Sequence, residues 1–170
     1  MEGAGRMTKQ EFMAMSFPYE LKIINCEVET DFNTITGIMG DAYYISDSKY
    51  PYGDIVNCKP ILHSLSDLTK EIEHNGEKFV PIVELARIAT NSNYEDWRVV
   101  DNMAVHSDDL YNFSIAPNCD MMLKKTFGWK DFDICSSQML LFQKLIEWHF
   151  NLMDKSEPFI PVTEEFNPYK

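Results

Sequence analysis

Short metal spacings, glycine-rich phosphate loops and long apolar runs are all missing from this chain, and each absence removes a class of function. The four cysteines, Cys26, Cys58, Cys119 and Cys135, stand 32, 61 and 16 positions apart. With no CxxC pair, the spacing excludes a zinc ribbon or finger, and the cysteines read as reduced, mostly buried thiols. Neither GxxxxGK nor GxGxxG occurs, so no phosphate-cradling loop is encoded, and GxSxG, the turn that presents a serine nucleophile, is absent too. No apolar run approaches the roughly 18 residues of a membrane span. The N-terminal "MEGAGRMTKQ" lacks the apolar segment of a secretory signal. Residues 1–7 read as a disordered or vector-derived N-terminus, in which "MEGAGR" is a vector remnant or an upstream start and Met7 a natural beginning, and a cytoplasmic protein is expected.

Basic charge is also scarce. Fifteen Lys and Arg face 27 Asp and Glu, a net charge of −12. Direct binding to a nucleic-acid backbone needs a basic face and is not expected. The acids are spread along the chain, with 14 acids and 7 bases up to residue 85 and 13 and 8 after it. A solvated, solubilising surface follows, with an acidic DNA mimic as a weaker reading.

What is present suits one folded domain. The 170 residues are 45% hydrophobic and 13% aromatic, enough to bury a core. Thr8 to Glu11 forms the pattern of a capping box, opening a short helix that stops at Pro18. "LKIINCEVE", "TITGIMG" and "DAYYIS" are rich in Ile, Val, Thr and Tyr and read as antiparallel strands. "SKYPYGDIVNCKP" reads as a loop, or as an edge strand broken by Pro51 and Pro60. Ser66 is placed to cap a helix over "DLTKEI", ended by Asn75–Gly76. Pro81 suits the first turn of a second helix, with Ile82, Leu85, Ile88 and Ala89 on one face. "RVVDNMAVH" and "LYNFSIA" read as two strands joined across Ser107–Asp109, with "MMLKKTF" and "KDFDI" as further short strands. Ser136 or Ser137 caps a long final helix, on which Met139, Phe142, Ile146, His149, Phe150 and Met153 recur at three- and four-residue intervals.

The expected architecture is therefore α+β: a small antiparallel sheet, two central helices and a long C-terminal helix packed on it. We expect a single domain over residues 8–156 and an extended tail over residues 157–170.

Few residues offer chemistry. His149, between Trp148 and Phe150, lacks a partner ligand at four residues before or after, where Leu145 and Met153 stand. It reads as a packing histidine. His106–Asp109, "HSDD", is the densest group of hard-metal or acid–base side chains, and equally the composition of a polar turn, which we favour. Gly37–Gly40, "GIMG", matches the GxxG of a KH loop but lies between strand-like runs without basic residues. His74–Phe79, "HNGEKF", is a turn signal. Tyr43, Tyr44, Tyr50, Tyr52, Trp97 and Trp129 divide between core packing and a recognition surface. We assign no catalytic residue, cofactor or metal.

Three segments taken together, "MTKQEFMAMSFPYELKI", "CKPILHSLSDLTKEIEHNGEKFVPIVEL" and "FQKLIEWHF", resemble a group of short uncharacterised proteins from phages, prophages and mobile elements of gut anaerobes. The resemblance implies a phage-associated intracellular role and transfers no functional residue. The expected function is a non-enzymatic protein that binds a host protein. The alternatives are a sponge for an anionic nucleotide signal, using Arg87, Arg98, Lys124, Lys125 and Lys130 with Trp129 to stack, the DNA mimic, and a metal-dependent enzyme built on "HSDD".

Overall fold

Thr8 starts the first helix as its sequence requires. Its hydroxyl accepts from the Glu11 N–H at 3.3 Å, and the Glu11 carboxylate accepts from the Thr8 N–H at 2.8 Å. Helix α1 (Lys9–Ser16) buries Phe12 and Met13, and a 3-10 turn over Phe17–Tyr19 carries Pro18. Glu20, in the left-handed region at φ 61°, redirects the chain into the first strand. The computed structural model describes residues 7–25, 32–45, 51–91, 96–106, 111–115, 121–125 and 135–170.

The chain divides into two compact units, one made of residues up to Ser64 with Ile146–Pro168, the other of Leu65–Leu145 with Tyr169 and Lys170. The first contains a six-stranded sheet. Its strands are β1 (Lys22–Asn25), β2 (Asn33–Met39), β3 (Ala42–Ile45), β4 (Tyr52–Asp54), β5 (Cys58–Leu62) and, far along the chain, β12 (Ile160–Pro161). They lie in the order β12-β5-β1-β2-β3-β4, antiparallel except for the β12–β5 pair. β5 runs through Pro60 rather than breaking there. β12 pairs only with Ile61 and Leu62, so its side of the strand makes no demand on a proline lacking an N–H. Leu21, Ile23, Ile35, Tyr43, Phe12 and Phe150 are among the buried residues of this unit.

The second unit begins with a 3-10 turn at Leu65–Asp67 and a hairpin of β6 (Ile72–His74) and β7 (Glu77–Phe79). Helix α2 (Pro81–Thr90) follows, with Pro81 in its first turn and Asn91 as a left-handed C-cap. A four-stranded antiparallel sheet comprises β8 (Trp97–Val100), β9 (Met103–His106), β10 (Tyr111–Ile115) and β11 (Met121–Lys125), in the order β11-β10-β9-β8. Its register sets Val99, Ala104, Phe113 and Leu123 in one row, and Ala104 and Phe113 are fully buried. α2 lies against β8, β9 and β10, and buries Ile82, Leu85 and Ala86. Helix α3 (Cys135–Glu147) returns the chain to the first unit at Ile146.

The α+β expectation is overturned. The described residues hold 12 strands in three sheets and three short α-helices, a mostly β protein without a long C-terminal helix. Three misread segments account for the difference. "DLTKEI" forms no α-helix: Asp67 closes a 3-10 turn and Ile72 already enters a strand, while Asn75 and Gly76 both adopt left-handed φ, 52° and 80°. That is the geometry of a tight hairpin turn, and it draws Ile72–His74 into pairing with Glu77–Phe79. "RVVDNMAVH" is itself a hairpin, turning at Asp101 and Asn102 with φ 47° and 64°. The final helix stops at Glu147, and His149 takes φ 56° with its N–H donating to the Ile146 carbonyl at 3.0 Å.

Beyond that turn the backbone bonds elsewhere. The His63 N–H donates to the His149 carbonyl at 2.8 Å, and the Asn151 N–H to the His63 carbonyl at 2.9 Å. Trp148, His149, Phe150, Leu152 and Met153 are all buried, so this stretch has no polar face to give solvent, as an amphipathic helix would. "KDFDI" and Ser107–Asp109 lie outside the described residues. Of residues 157–170, Ile160 and Pro161 form β12, and the Tyr169 carbonyl accepts from the Asn75 N–H at 2.6 Å.

Candidate interaction surface

The edge of the six-stranded sheet is built by the β2–β3 turn and by the pairing of β4 on β3. Gly40, at φ 59°, and Asp41 reverse the chain between β2 and β3, and Gln10 on α1 donates to the Gly40 carbonyl at 2.8 Å. Gly40 is the kind of residue such a turn needs, because a side chain there would be strained. β4 then returns alongside β3, pairing Asp54 with Ala42, Gly53 with Tyr43 and Tyr52 with Tyr44.

Hydrogen bonds flanking these pairs fix which way the backbone points. The Ile55 N–H donates to the Asp41 carbonyl at 2.8 Å, and the Ile45 N–H to the Pro51 carbonyl at 3.0 Å. These bonds bracket Ala42–Asp54 and Tyr44–Tyr52 as the pairs that do not bond one another. The N–H and C=O of Tyr52 and of Asp54 therefore face away from β3. β4 is the last strand of its sheet, with none beyond it among the described residues.

Alternation sorts the side chains. On the inner face Tyr43 is 1% exposed, and its hydroxyl accepts from Asn25 Nδ2 at 2.7 Å. That hydroxyl would stand 2.6 Å from a Cβ on residue 53, which explains why a glycine occupies the centre of β4. On the outer face Tyr44 lies across Gly37, and Tyr52, directly opposite Tyr44, is 67% exposed. Met39, which pairs with Ala42, is 69% exposed, and Val56, just past β4, is 76% exposed. Asp41 and Asp54 are the exposed charges beside them. The nearby Lys9 ammonium is buried and donates to the Val56 and Cys58 carbonyls at 3.2 and 3.1 Å.

The other candidates are dispersed or packed. His149 is 1% exposed, in agreement with a packing role, but it follows the helix instead of lining its face. All four histidines are buried: His63 lies 5.4 Å from the Phe150 ring, His74 5.6 Å from Tyr169, and His106 meets Trp97 edge-on at 5.5 Å. "HSDD" thus contributes only His106 to the described residues. "GIMG" closes a β-hairpin and joins no helices, and "HNGEKF" is the β6–β7 hairpin. Arg87 is ion-paired with Glu84, Arg98 is exposed on β8, and Lys124 and Lys125 end β11. Lys130, Trp129, Tyr50, Cys26 and Cys119 lie outside the described residues. Cys58 is buried, and its thiol donates to the Ile55 carbonyl at 3.3 Å. Among the described residues, no group of three or more His, Cys, Asp or Glu is arranged to hold a metal ion, and no helix is long and apolar enough to cross a membrane.

Tyr52 was legible as an aromatic candidate; Met39 and Val56 were not. Met39 lies in a strand-like run and Val56 in a stretch read as a loop or broken edge strand, and neither pattern marks an exposed apolar side chain. No family model matches this chain, and neither a curated protein nor a solved structure does.

Proposed function

We propose that this protein is a non-enzymatic binding module that engages a host protein through the surface around β4. The observation that carries the reading is that Tyr52, Val56 and Met39, all more than half exposed, lie respectively on the terminal strand of a sheet, just past it and two strands in from it. Exposed apolar side chains that cluster, rather than scatter singly, favour an interaction site. Tyrosine and methionine are enriched at protein interfaces, where the ring brings contact area at small entropic loss and the flexible thioether adapts to an irregular pocket. Asp41 and Asp54 supply the polar rim of such a patch. A cytoplasmic site of action, in a bacterial cell carrying a phage or mobile element, accords with the sequence resemblance.

The experiment compares the natural chain with a Met39→Ser, Val56→Ser double variant, both used to capture partners from host lysate. Both side chains are exposed, so the variant should keep the natural melting temperature. Removal of two central contacts should weaken the captured partner's affinity at least about tenfold. A partner that binds both chains equally rejects this surface.

A further inference from the structure

We infer that the partner enters as an extended segment that adds a strand to β4, presenting a basic and an apolar residue two positions apart. The inference rests on the binding-module reading and narrows it from a surface to a mode of pairing.

Three observations lead to it. First, the outward N–H and C=O groups of Tyr52 and Asp54 form a short template of donors and acceptors, which another backbone can satisfy. Second, a residue that exchanges hydrogen bonds with Tyr52 or Asp54 stands directly opposite it, so its side chain falls on the same outer face. There it meets either the exposed Tyr52 ring, with Met39 on the same face, or the exposed Asp54 carboxylate. Third, charge selects the occupant. The chain carries a net −12, and Asp54 with Asp41 places acid at this edge. A second copy of the chain would bring like charge to like charge, whereas a basic segment is attracted.

The geometry specifies an order. In an antiparallel arrangement the earlier peptide residue faces Asp54 and the later one faces Tyr52. The basic residue therefore precedes the apolar one by two. The intervening residue points its N–H away from β4 and tolerates any side chain that avoids Tyr43.

The probe is an acetylated, amidated pentapeptide with Lys second, Val fourth and Thr elsewhere, titrated into the full chain and followed by amide NMR. The Tyr52 and Asp54 amides should shift and become protected from exchange. N-methylation of the peptide Lys and Val should weaken binding at least about tenfold, because two hydrogen bonds are lost and methyl groups meet the strand. N-methylation of the central Thr should leave binding unchanged. Equal loss from both methylation patterns, or shifts that avoid Tyr52 and Asp54, overturns strand addition. Protection of those amides without peptide, together with a concentration-dependent dimer in sedimentation, assigns the edge to a second copy and also overturns it. If the peptide fails while the Met39→Ser, Val56→Ser variant loses its captured partner, strand addition falls and the surface reading stands. If that partner ignores the double variant, the surface reading itself falls.

Discussion

β4 and β8 each end a sheet, and they differ in length, composition and charge. β8 is four residues long, made of Trp97, Arg98, Val99 and Val100, and is held to β9 by four registered pairs. Its valines are 38% and 39% exposed, with the exposed Arg98 beside them. β4 has three residues, a glycine at its centre and an aspartate at its end. A sheet edge made of β-branched residues invites unwanted pairing, and a charged side chain on it is a common deterrent. β8 is guarded by a cation, whereas β4 is guarded by its shortness and by an anion. A basic segment is therefore repelled at one edge and attracted at the other.

Several substitutions would break or sharpen that contrast. The largest effect lies beneath β8's sheet: Phe113→Ala, opposite the fully buried Ala104, should lower stability by about 3–5 kcal/mol in urea unfolding. A change below about 1 kcal/mol would mean that Phe113 does not anchor that sheet.

Gly53→Ala should come next. The added methyl meets the Tyr43 hydroxyl, which is already engaged by Asn25, and should cost about 1–3 kcal/mol in thermal unfolding. Gly37→Ala is the natural comparison in the same sheet, since its nearest neighbours on Tyr44 are at an ordinary 3.9 Å. It should be neutral or stabilise by about 0.5 kcal/mol. Equal losses at the two glycines would show that close approach to Tyr43 is not what selects Gly53.

Charge reversal tests the edges themselves. Asp54→Lys should weaken the Lys- and Val-containing pentapeptide about fivefold, the scale of one exposed ion pair turned to repulsion. Arg98→Glu should leave it unchanged if β4 alone takes the peptide. The reverse pattern in a titration would move the docking edge to β8.

The smallest effect concerns α1. Thr8→Ala removes the capping hydroxyl and should cost about 1 kcal/mol. The Thr8 backbone N–H, and then its hydroxyl, hold the Glu11 carboxyl below its ordinary value of 4.5. A depressed carboxylate contributes stability that is full above its unfolded pKa and is lost as pH falls through the folded one. The melting-temperature difference between the natural chain and Glu11→Gln should therefore shrink from about pH 6 to about pH 3. A difference that grows on acidification would contradict the capping geometry.

Elements governed by neighbours in sequence were legible. The Thr8–Glu11 cap, Pro81 at the start of α2 and the Asn75–Gly76 turn each depend on groups a few positions apart. "TITGIMG" and "DAYYIS" were legible as strands because β-branched and aromatic residues alternate around a glycine turn. Illegible were the choices between two locally acceptable states. Leu68 and Ile72 are four apart and both buried, as on a helix, yet Ile72 belongs to a hairpin. Asp101–Asn102 is a weaker turn signal than Asn-Gly, because neither residue adopts positive φ freely. His149 continued a helical spacing that its own backbone abandons.

The sequence by itself determined the acidity of the surface, the caps and tight turns, and the absence of the short-range metal and phosphate motifs, since these need only composition and nearest neighbours. Tertiary structure alone decided that β12 pairs with β5, that Phe150 lies beside His63, and that β4 has no strand beyond it among the described residues. The reason is physical: a strand carries donors and acceptors on both edges, and nothing local dictates which distant strand will satisfy them. Whether Tyr52 and Asp54 face a neighbour or an open edge is settled only when the whole sheet has formed.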